Sequence, residues 1–307
     1  MENLRVGFVV LHYCAADMTR KSVASIQEKL KNTDYAIVVV DNASGNGTGK
    51  ELAEEYKDDS RVTVLLSEEN LGFARGNNLG YVYAKEQLSC DFICVMNNDV
   101  MILQDNFAEL ISKAYQEYRF GVLGPHIELK DGSENAMYYE IAPLHSLRKE
   151  RDYYRRRLHH LTSPLYGLWN VWDNLKLALR ILLGKLHVMP EMKRHEDQVE
   201  GAGERHENLV LHGCCLIFSP VYLQRFADAF DPVTFMFREE ELLYLRCRDA
   251  GIKVLYDPAL RVLHLEDIAT DFIYKTERKK EIFHLKNQID SMGILMERLE
   301  RNGIRES

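Results

Sequence analysis

Cys90-Asp-Phe-Ile-Cys-Val-Met-Asn97-Asn98-Asp99-Val100 is an apolar run that stops abruptly in two amides and a carboxylate. A short apolar stretch bounded by polar residues has the pattern of a buried strand. In an open α/β sheet, ligands bind beyond the carboxyl ends of the strands, so a lone Asp there is in working position. An Asp beside two amide side chains is also an oxygen-rich set, suited to a hard cation such as Mg2+ or Mn2+. Taken alone, Asn97-Asn98-Asp99 reads as a turn. Its neighbours change that reading.

Upstream, the chain alternates between two periods. Strand-like runs at residues 6–11, 36–40, 62–66 and 92–96 are separated by helical patterns at 18–30, 50–56 and 76–85. Such alternation, with Val- and Ile-rich strands, predicts an α/β fold with a mostly parallel central sheet covered on both faces. A further helix is expected over 105–118, leading into Gly121-Val-Leu-Gly-Pro125. Between 138 and 208 the rhythm stops. Residues 148–160 are strongly basic, 168–188 form an apolar helical pattern interrupted by Lys176, Arg180 and Lys185, and 191–207 read as a charged loop. The rhythm resumes at 209–218, followed by a helix over 220–229, an acidic run at Glu239–Glu241, and a strand at 253–256. A long charged helix over 273–304 closes the chain.

Composition bounds the class. The chain has 307 residues, 46% hydrophobic and 28% charged, enough to bury a substantial core. A strand pattern begins almost at Met1, and no apolar run reaches bilayer length, so a cytoplasmic protein is expected. Cys14, Cys90, Cys94, Cys214, Cys215 and Cys247 lack paired zinc-type spacing and read as small buried thiols. Residues 145–194 hold eleven Lys/Arg against four Asp/Glu, so the rest of the chain carries −15 of a net −8. An acidic body argues against nucleic acid as a partner, while the basic segment implies a particular anionic surface.

Four strand ends carry polar groups: His12-Tyr13, then Asp41-Asn42-Ala-Ser44-Gly-Asn-Gly47, then Glu69-Asn70 through Gly80, and Asn97-Asn98-Asp99. Each alone is weak, and Asp41 by itself is more often a turn or helix cap. Four along one sheet edge imply a nucleotide pocket there.

Val39-Val-Asp41-Asn-Ala-Ser44, Asn70-Leu-Gly72-Phe-Ala-Arg-Gly76-Asn77-Asn78-Leu-Gly80 and Asn97-Asn98-Asp99-Val100 resemble the signatures of the family 2 inverting glycosyltransferases with the A-type fold. The closest likeness is to the rhamnosyltransferase-like enzymes of bacterial surface-polysaccharide assembly. His212-Gly213-Cys214-Cys215, Phe235-Met-Phe-Arg-Glu239-Glu240-Glu241-Leu-Leu-Tyr-Leu-Arg246 and the stretch from Gly251 to His264 follow in the order of that family. The resemblance covers residues 5–264. It implies a glycosyltransferase domain over 1–272, with a nucleotide-sugar half (1–125), a basic helical insertion (138–208) and an acceptor half (209–272), followed by a C-terminal helix (273–307).

The resemblance also implies roles. Asp41 would accept a hydrogen bond from the nucleotide base. Gly72 and Gly76 would let backbone approach the donor, with Asn77 or Asn78 lining the ribose or sugar, and His12, Tyr13, Asn70 and Asn98 completing the pocket. Asp99 would hold Mg2+ or Mn2+ against the diphosphate, and His264 would add a contact to metal or diphosphate. The donor would be a dTDP- or UDP-linked sugar and the acceptor a hydroxyl of a glycan or lipid-linked oligosaccharide. The family places Glu-Asp where this chain has Glu239-Glu240. Counting back from Arg246 sets Glu240 at the position of the catalytic base, but Glu241 permits a one-residue slip, which on a helix turns the side chain by about 100°. Asn97 and Asn98 stand where a metal site of Asp-x-Asp type has its first acid.

Two rivals are open. A sugar-phosphate nucleotidyltransferase needs a Gly-rich phosphate loop after the first strand, where this chain has His12-Tyr13-Cys-Ala-Ala-Asp17. A non-catalytic sugar-nucleotide-binding partner would tolerate the missing acid at Asn97. The basic segment 148–188 likewise has two readings: a stripe packed within the protein or against a second copy, or a contact with the inner membrane leaflet through Trp169, Trp172 and Arg155-Arg156-Arg157.

Overall fold

The computed structural model describes residues 4–133, 138–169, 171, 172, 175, 203–266 and 276–302. Most of the expected apolar helix at 168–188 and of the expected loop at 191–207 lies outside the described residues. The chain forms two units, Met1–Ile141 with Val199–Phe272, and Ala142–Gln198 with Ile273–Ser307.

The first unit is built on β1 (Arg5–His12), β2 (Asp34–Asp41), β3 (Val62–Leu66) and β4 (Phe92–Asn97), linked by helices α1 (Ala16–Lys29), α2 (Thr48–Glu55) and α3 (Gly72–Glu86). These strands pair in parallel, in the order β3-β2-β1-β4, because each crossover carries a helix back over the sheet. Strands β1, β2 and β4 are buried nearly throughout, which explains why they read as continuous apolar runs rather than alternating ones. The sheet extends beyond β4 through β10 (Cys215–Phe218), which runs antiparallel. It continues through β6 (Val122–Leu129), β11 (Val254–His264) and β5 (Val100–Ile102), with β8 (His206–Glu207) paired to β11. The predicted mostly parallel α/β sheet is thus the observed one. A two-stranded sheet joins β7 (Tyr138–Tyr139) to β9 (Val210–Leu211). Helices α4 (Phe107–Tyr118), α6 (Pro220–Arg225) and α7 (Glu239–Asp249) complete the unit.

Three boundaries differ from the expectation. The run at 209–218 is two strands separated at Gly213. The helix expected over 220–229 ends at Arg225, and Phe226 is already extended. The strand expected at 253–256 continues to His264, with a shift in pairing between Asp257 and Arg261. Pro258 lies in that shift, where its missing N–H breaks no ladder bond.

In the second unit, α5 (Leu144–Thr162) and α8 (Glu277–Arg301) run antiparallel, as two ion pairs show: Arg148 with Glu300 at 2.9 Å, and Arg157 with Glu281 at 2.7 Å. Thr276 caps α8 by accepting from the Lys279 amide. No helix among the described residues is long and apolar enough to cross a membrane.

Helix α3 comes unusually close to the sheet, because Gly76 and Gly80 lie one turn apart on its inner face. A Cβ on Gly80 would overlap Val9 Cγ1 and lie 2.8 Å from Val40 Cγ2. Both neighbours are stiff β-branched side chains in a packed core. Gly80→Ala is therefore expected to destabilise the protein by about 1–3 kcal/mol, read as a lower urea midpoint with unchanged slope.

Candidate active site

The parallel pairing sets the site. His12 lies opposite Asp41, and Leu11 opposite Asn97, so β1, β2 and β4 run out at one edge. Every polar group arriving there must find a partner.

His12 is fully buried between two hydroxyls, with Nδ1 2.7 Å from Thr19 Oγ1 and Nε2 2.9 Å from Thr48 Oγ1. Thr48 donates its hydroxyl proton to Asn46 Oδ1, so its oxygen is left to accept from His12 Nε2. That arrangement suits a neutral ring, and burial pushes the His12 pKa below its ordinary value against the pull of Asp41, 4.0 Å away. Asn98 donates to the same Thr19 hydroxyl at 3.2 Å. Tyr13 is half-buried beyond the strand end.

Asp41 is buried, accepts from the Ser44 amide at 3.1 Å, and lies against Gly49 in the first turn of α2. Any Cβ at Gly49 would displace this carboxylate. Beside it, Asn42 fastens the loop before α3. Its Oδ1 accepts from Leu71 N at 2.8 Å, while Nδ2 donates to Gly72 O and Asn70 Oδ1, both at 3.1 Å. Asn70 Oδ1 also accepts from Gly72 N. Gly72 has φ +76°, and a side chain there would strike the Phe235 carbonyl, which accepts from Phe73 N at 2.7 Å.

Further along α3, Asn77 is buried, with Nδ2 bonded to Phe73 O and Oδ1 without a partner. Asn78 uses both its amide atoms on the backbone of Phe230, at 2.9 Å each. It ties α3 to the chain before the acidic run.

At the β4 end, Asp99 stands against the end of β11. His264 pairs with Val100, its Nε2 lies 3.3 Å from Asp99 Oδ1, and Leu265 N donates to Asp99 O. Asp99 Oδ1 and His264 Nδ1 are buried and make no hydrogen bond. The His212 ring lies 5.9 Å from that of His264, and burial followed by the neighbouring His264 pushes its pKa down to about 4. Among the described residues, no group of three or more His, Cys, Asp or Glu is arranged to hold a metal ion.

The acidic run opens α7, directly after two left-handed residues, Phe237 (φ 73°) and Arg238 (φ 69°). The three acids separate cleanly. Glu239 accepts from Thr234 at 3.0 Å, and Glu241 accepts from Arg238 at 2.8 Å. Glu240 receives no side-chain hydrogen bond, and its carboxylate lies over the Gly213 backbone, where any Cβ would overlap Oε1. Burial, reinforced by Glu239 and then Glu241, pushes the Glu240 pKa up to about 8; burial lifts Glu239 to about 7. Such displaced carboxylates are the mark of acid–base sites. Tyr139, across β7 from Val210, also meets this cluster: desolvation, then Glu241 and Glu240, hold its phenol well above the ordinary value.

The structure therefore gathers the predicted residues in two groups, one around Asp41 and Asn70–Asn78 and a second of Asp99, His264 and Glu240 with its neighbours. Sequence reasoning passed over Asn42, His212 and Tyr139. The first two sit inside motifs already singled out, whereas Tyr139 carries no local signal.

Residues 8–170 match glycosyl transferase family 2. No curated protein sequence matches the chain. Among solved structures, the chain resembles S. aureus TarS 1–349 with 12% identity and a TM-score of 0.50, over 97% of this chain and 73% of that one. The complex of the same protein with UDP gives 14% identity and a TM-score of 0.51, over 92% and 65%. A third, in complex with UDP-GlcNAc, gives 19% identity and a TM-score of 0.37, over 46% and 41%. The chain thus spans less than two thirds of two of these structures, and likenesses at such identities show the fold alone.

The raised pKa values carry a stability signature. A carboxyl that binds its proton more tightly when folded contributes stability below its unfolded value, which is lost as pH rises through the folded one. For Glu240 that window runs from 4.5 to about 8. The melting temperature should fall across it, and Glu240→Gln should flatten the fall, stabilising the protein more at pH 8 than at pH 5 in differential scanning calorimetry.

Proposed function

The chain belongs to glycosyl transferase family 2, and on that premise we propose that it transfers a sugar from a nucleotide-diphosphate donor to a hydroxyl of a glycan or lipid-linked acceptor, with inversion. The observation that carries this reading is the isolation of Glu240. Of three adjacent acids, it alone is neither held by Thr234 nor by Arg238. The acceptor oxygen attacks the anomeric carbon, the bond from that carbon to the donor diphosphate breaks, and Glu240 takes the hydroxyl proton. Glu239 acts through charge, raising the basicity of Glu240.

On the donor side, Asp41 faces the base, while Gly72 and Gly76 let the backbone of α3 approach the nucleotide, with Asn70 and Asn77 alongside. His12 and Asn98 hold that floor in place through Thr19. The motifs at 39–44, 70–80 and 97–100 support a dTDP- or UDP-linked donor carrying rhamnose or a similar hexose. UDP is the ligand of a TarS structure that shares the fold.

Asp99 and His264 fit a divalent cation: Asp99 Oδ1, buried without a hydrogen bond, lies 3.3 Å from His264 Nε2. Mg2+ or Mn2+ held there, with the donor phosphates completing its shell, would offset charge on the departing diphosphate. A lipid-linked acceptor would bring the enzyme to the cytoplasmic face of a membrane.

Two measurements test this reading. Thermal stabilisation by dTDP- and UDP-sugars, strengthened by Mn2+ and weakened in Asp99→Asn, is the expected result, since a ligand bound only to the folded state raises its melting point. Donor binding without any hydrolysis or transfer would instead favour a non-catalytic binding partner. The second is Gly213→Ala. The atom that a new Cβ meets is the tip of a flexible side chain, so the protein should fold, while the displaced carboxylate lowers turnover by about 100-fold. In the unaltered enzyme, kcat/KM should rise with pH up to about 8, as Glu240 loses its proton.

A further inference from the structure

The second unit carries a surface that sugar transfer leaves unused. On α5 the exposed charged positions are Arg148, Lys149, Arg155 and Arg156, with Asp152 the only exposed acid. Arg157 turns inward to Glu281, Arg148 reaches Glu300, and Arg155 lies 3.8 Å from Asp152. Glu150 is half-buried and accepts from the Tyr154 hydroxyl. The outward face is therefore basic.

Immediately beyond α5, Leu165, Leu168, Val171, Trp172 and Leu175 are 55%, 70%, 67%, 51% and 60% exposed. Residues 166–169, 171, 172 and 175 are helical. At 100° per residue, the last four of these apolar side chains fall within an arc of about 100°, one face of a helix. Trp169 stacks on His160 with ring centroids 4.5 Å apart, which fixes this apolar face to the basic helix. Scattered exposed apolar residues are ordinary, but a contiguous face beside a basic one marks an interaction site.

We propose that α5 and the apolar residues Leu165, Leu168, Val171, Trp172 and Leu175 form a docking surface for an anionic phospholipid bilayer. A nucleic acid would engage the arginines and leave the leucines in water. A second copy of the chain would bring like charges together. An anionic bilayer takes both features: headgroups draw Lys and Arg, while Leu, Val and Trp enter the acyl boundary. Trp is favoured at that depth. The contact is peripheral, since no described helix is able to cross the bilayer. Its role in presenting a lipid-linked acceptor rests on the sugar-transfer reading; the docking itself does not.

Cosedimentation of the full chain with vesicles tests the proposal. Binding is expected to vesicles of phosphatidylcholine mixed with phosphatidylglycerol, to weaken with salt, and to be much lower on phosphatidylcholine alone. At low salt, Arg155→Ala with Arg156→Ala should weaken binding by about 25-fold, since each basic residue at a charged surface contributes about fivefold. Leu168→Ser with Trp172→Ser should weaken it by about tenfold, at exposed positions where folding is undisturbed. Donor hydrolysis in solution should be unchanged in both pairs. Absence of vesicle binding, or binding indifferent to both pairs, overturns the proposal, as does a dimer that the substitutions dissolve without any lipid affinity. Normal vesicle binding by a protein that neither binds nor hydrolyses any nucleotide-sugar would instead overturn the sugar-transfer reading and leave this one standing.

Discussion

Parallel strands in register end together, and their ends leave backbone and side-chain polar groups at one level with no further ladder to join. At the edge formed by His12, Asp41 and Asn97, this chain answers that constraint with short polar side chains from the loops and helices that follow the strands. Thr19 and Thr48 enclose the imidazole, Ser44 and the start of α2 hold Asp41, and Asn42 fastens the loop ahead of α3. They fix the edge against which a substrate can be held, and a rigid edge is what positioning demands.

The opposite half of the site depends on a different economy. Three carboxyls at one helix start would be ordinary if all were solvated. Here Glu239 is bonded to Thr234 and Glu241 to Arg238, while the third is enclosed against the Gly213 backbone without a side-chain hydrogen bond. Burial and mutual repulsion then do what a nearby base does elsewhere, making one carboxylate avid for a proton. The left-handed pair Phe237-Arg238 costs about 1–3 kcal/mol per residue, and strain of that kind persists where surrounding structure over-determines it.

Much of this was legible beforehand. The parallel sheet followed from alternating periods, since buried strands and amphipathic helices leave different marks on a sequence. The misplaced boundaries arise mainly from contacts between residues far apart in the chain. Gly213 interrupts a strand because Glu240 needs the space above it. The helix at Pro220 ends early because Phe230 is bonded to Asn78 and Ala229 O accepts from Tyr222. The strand at Val254 runs long because β6 and β5 offer it partners. The one-residue ambiguity among Glu239, Glu240 and Glu241 has a local origin instead: it turns on which acids Thr234 and Arg238, close by in the chain, bond.

The bond from Phe73 N to Phe235 O, at 2.7 Å over a glycine that admits no side chain, joins two stretches some 160 residues apart in the chain. One begins α3; the other leads directly into α7, which bears Glu240. Asn78 adds a second clamp between the same two stretches at Phe230. The two groups of site residues are therefore joined at two points. A shift in the first turn of α3 therefore bears directly on the chain that leads to Glu240, which links the two groups of residues physically.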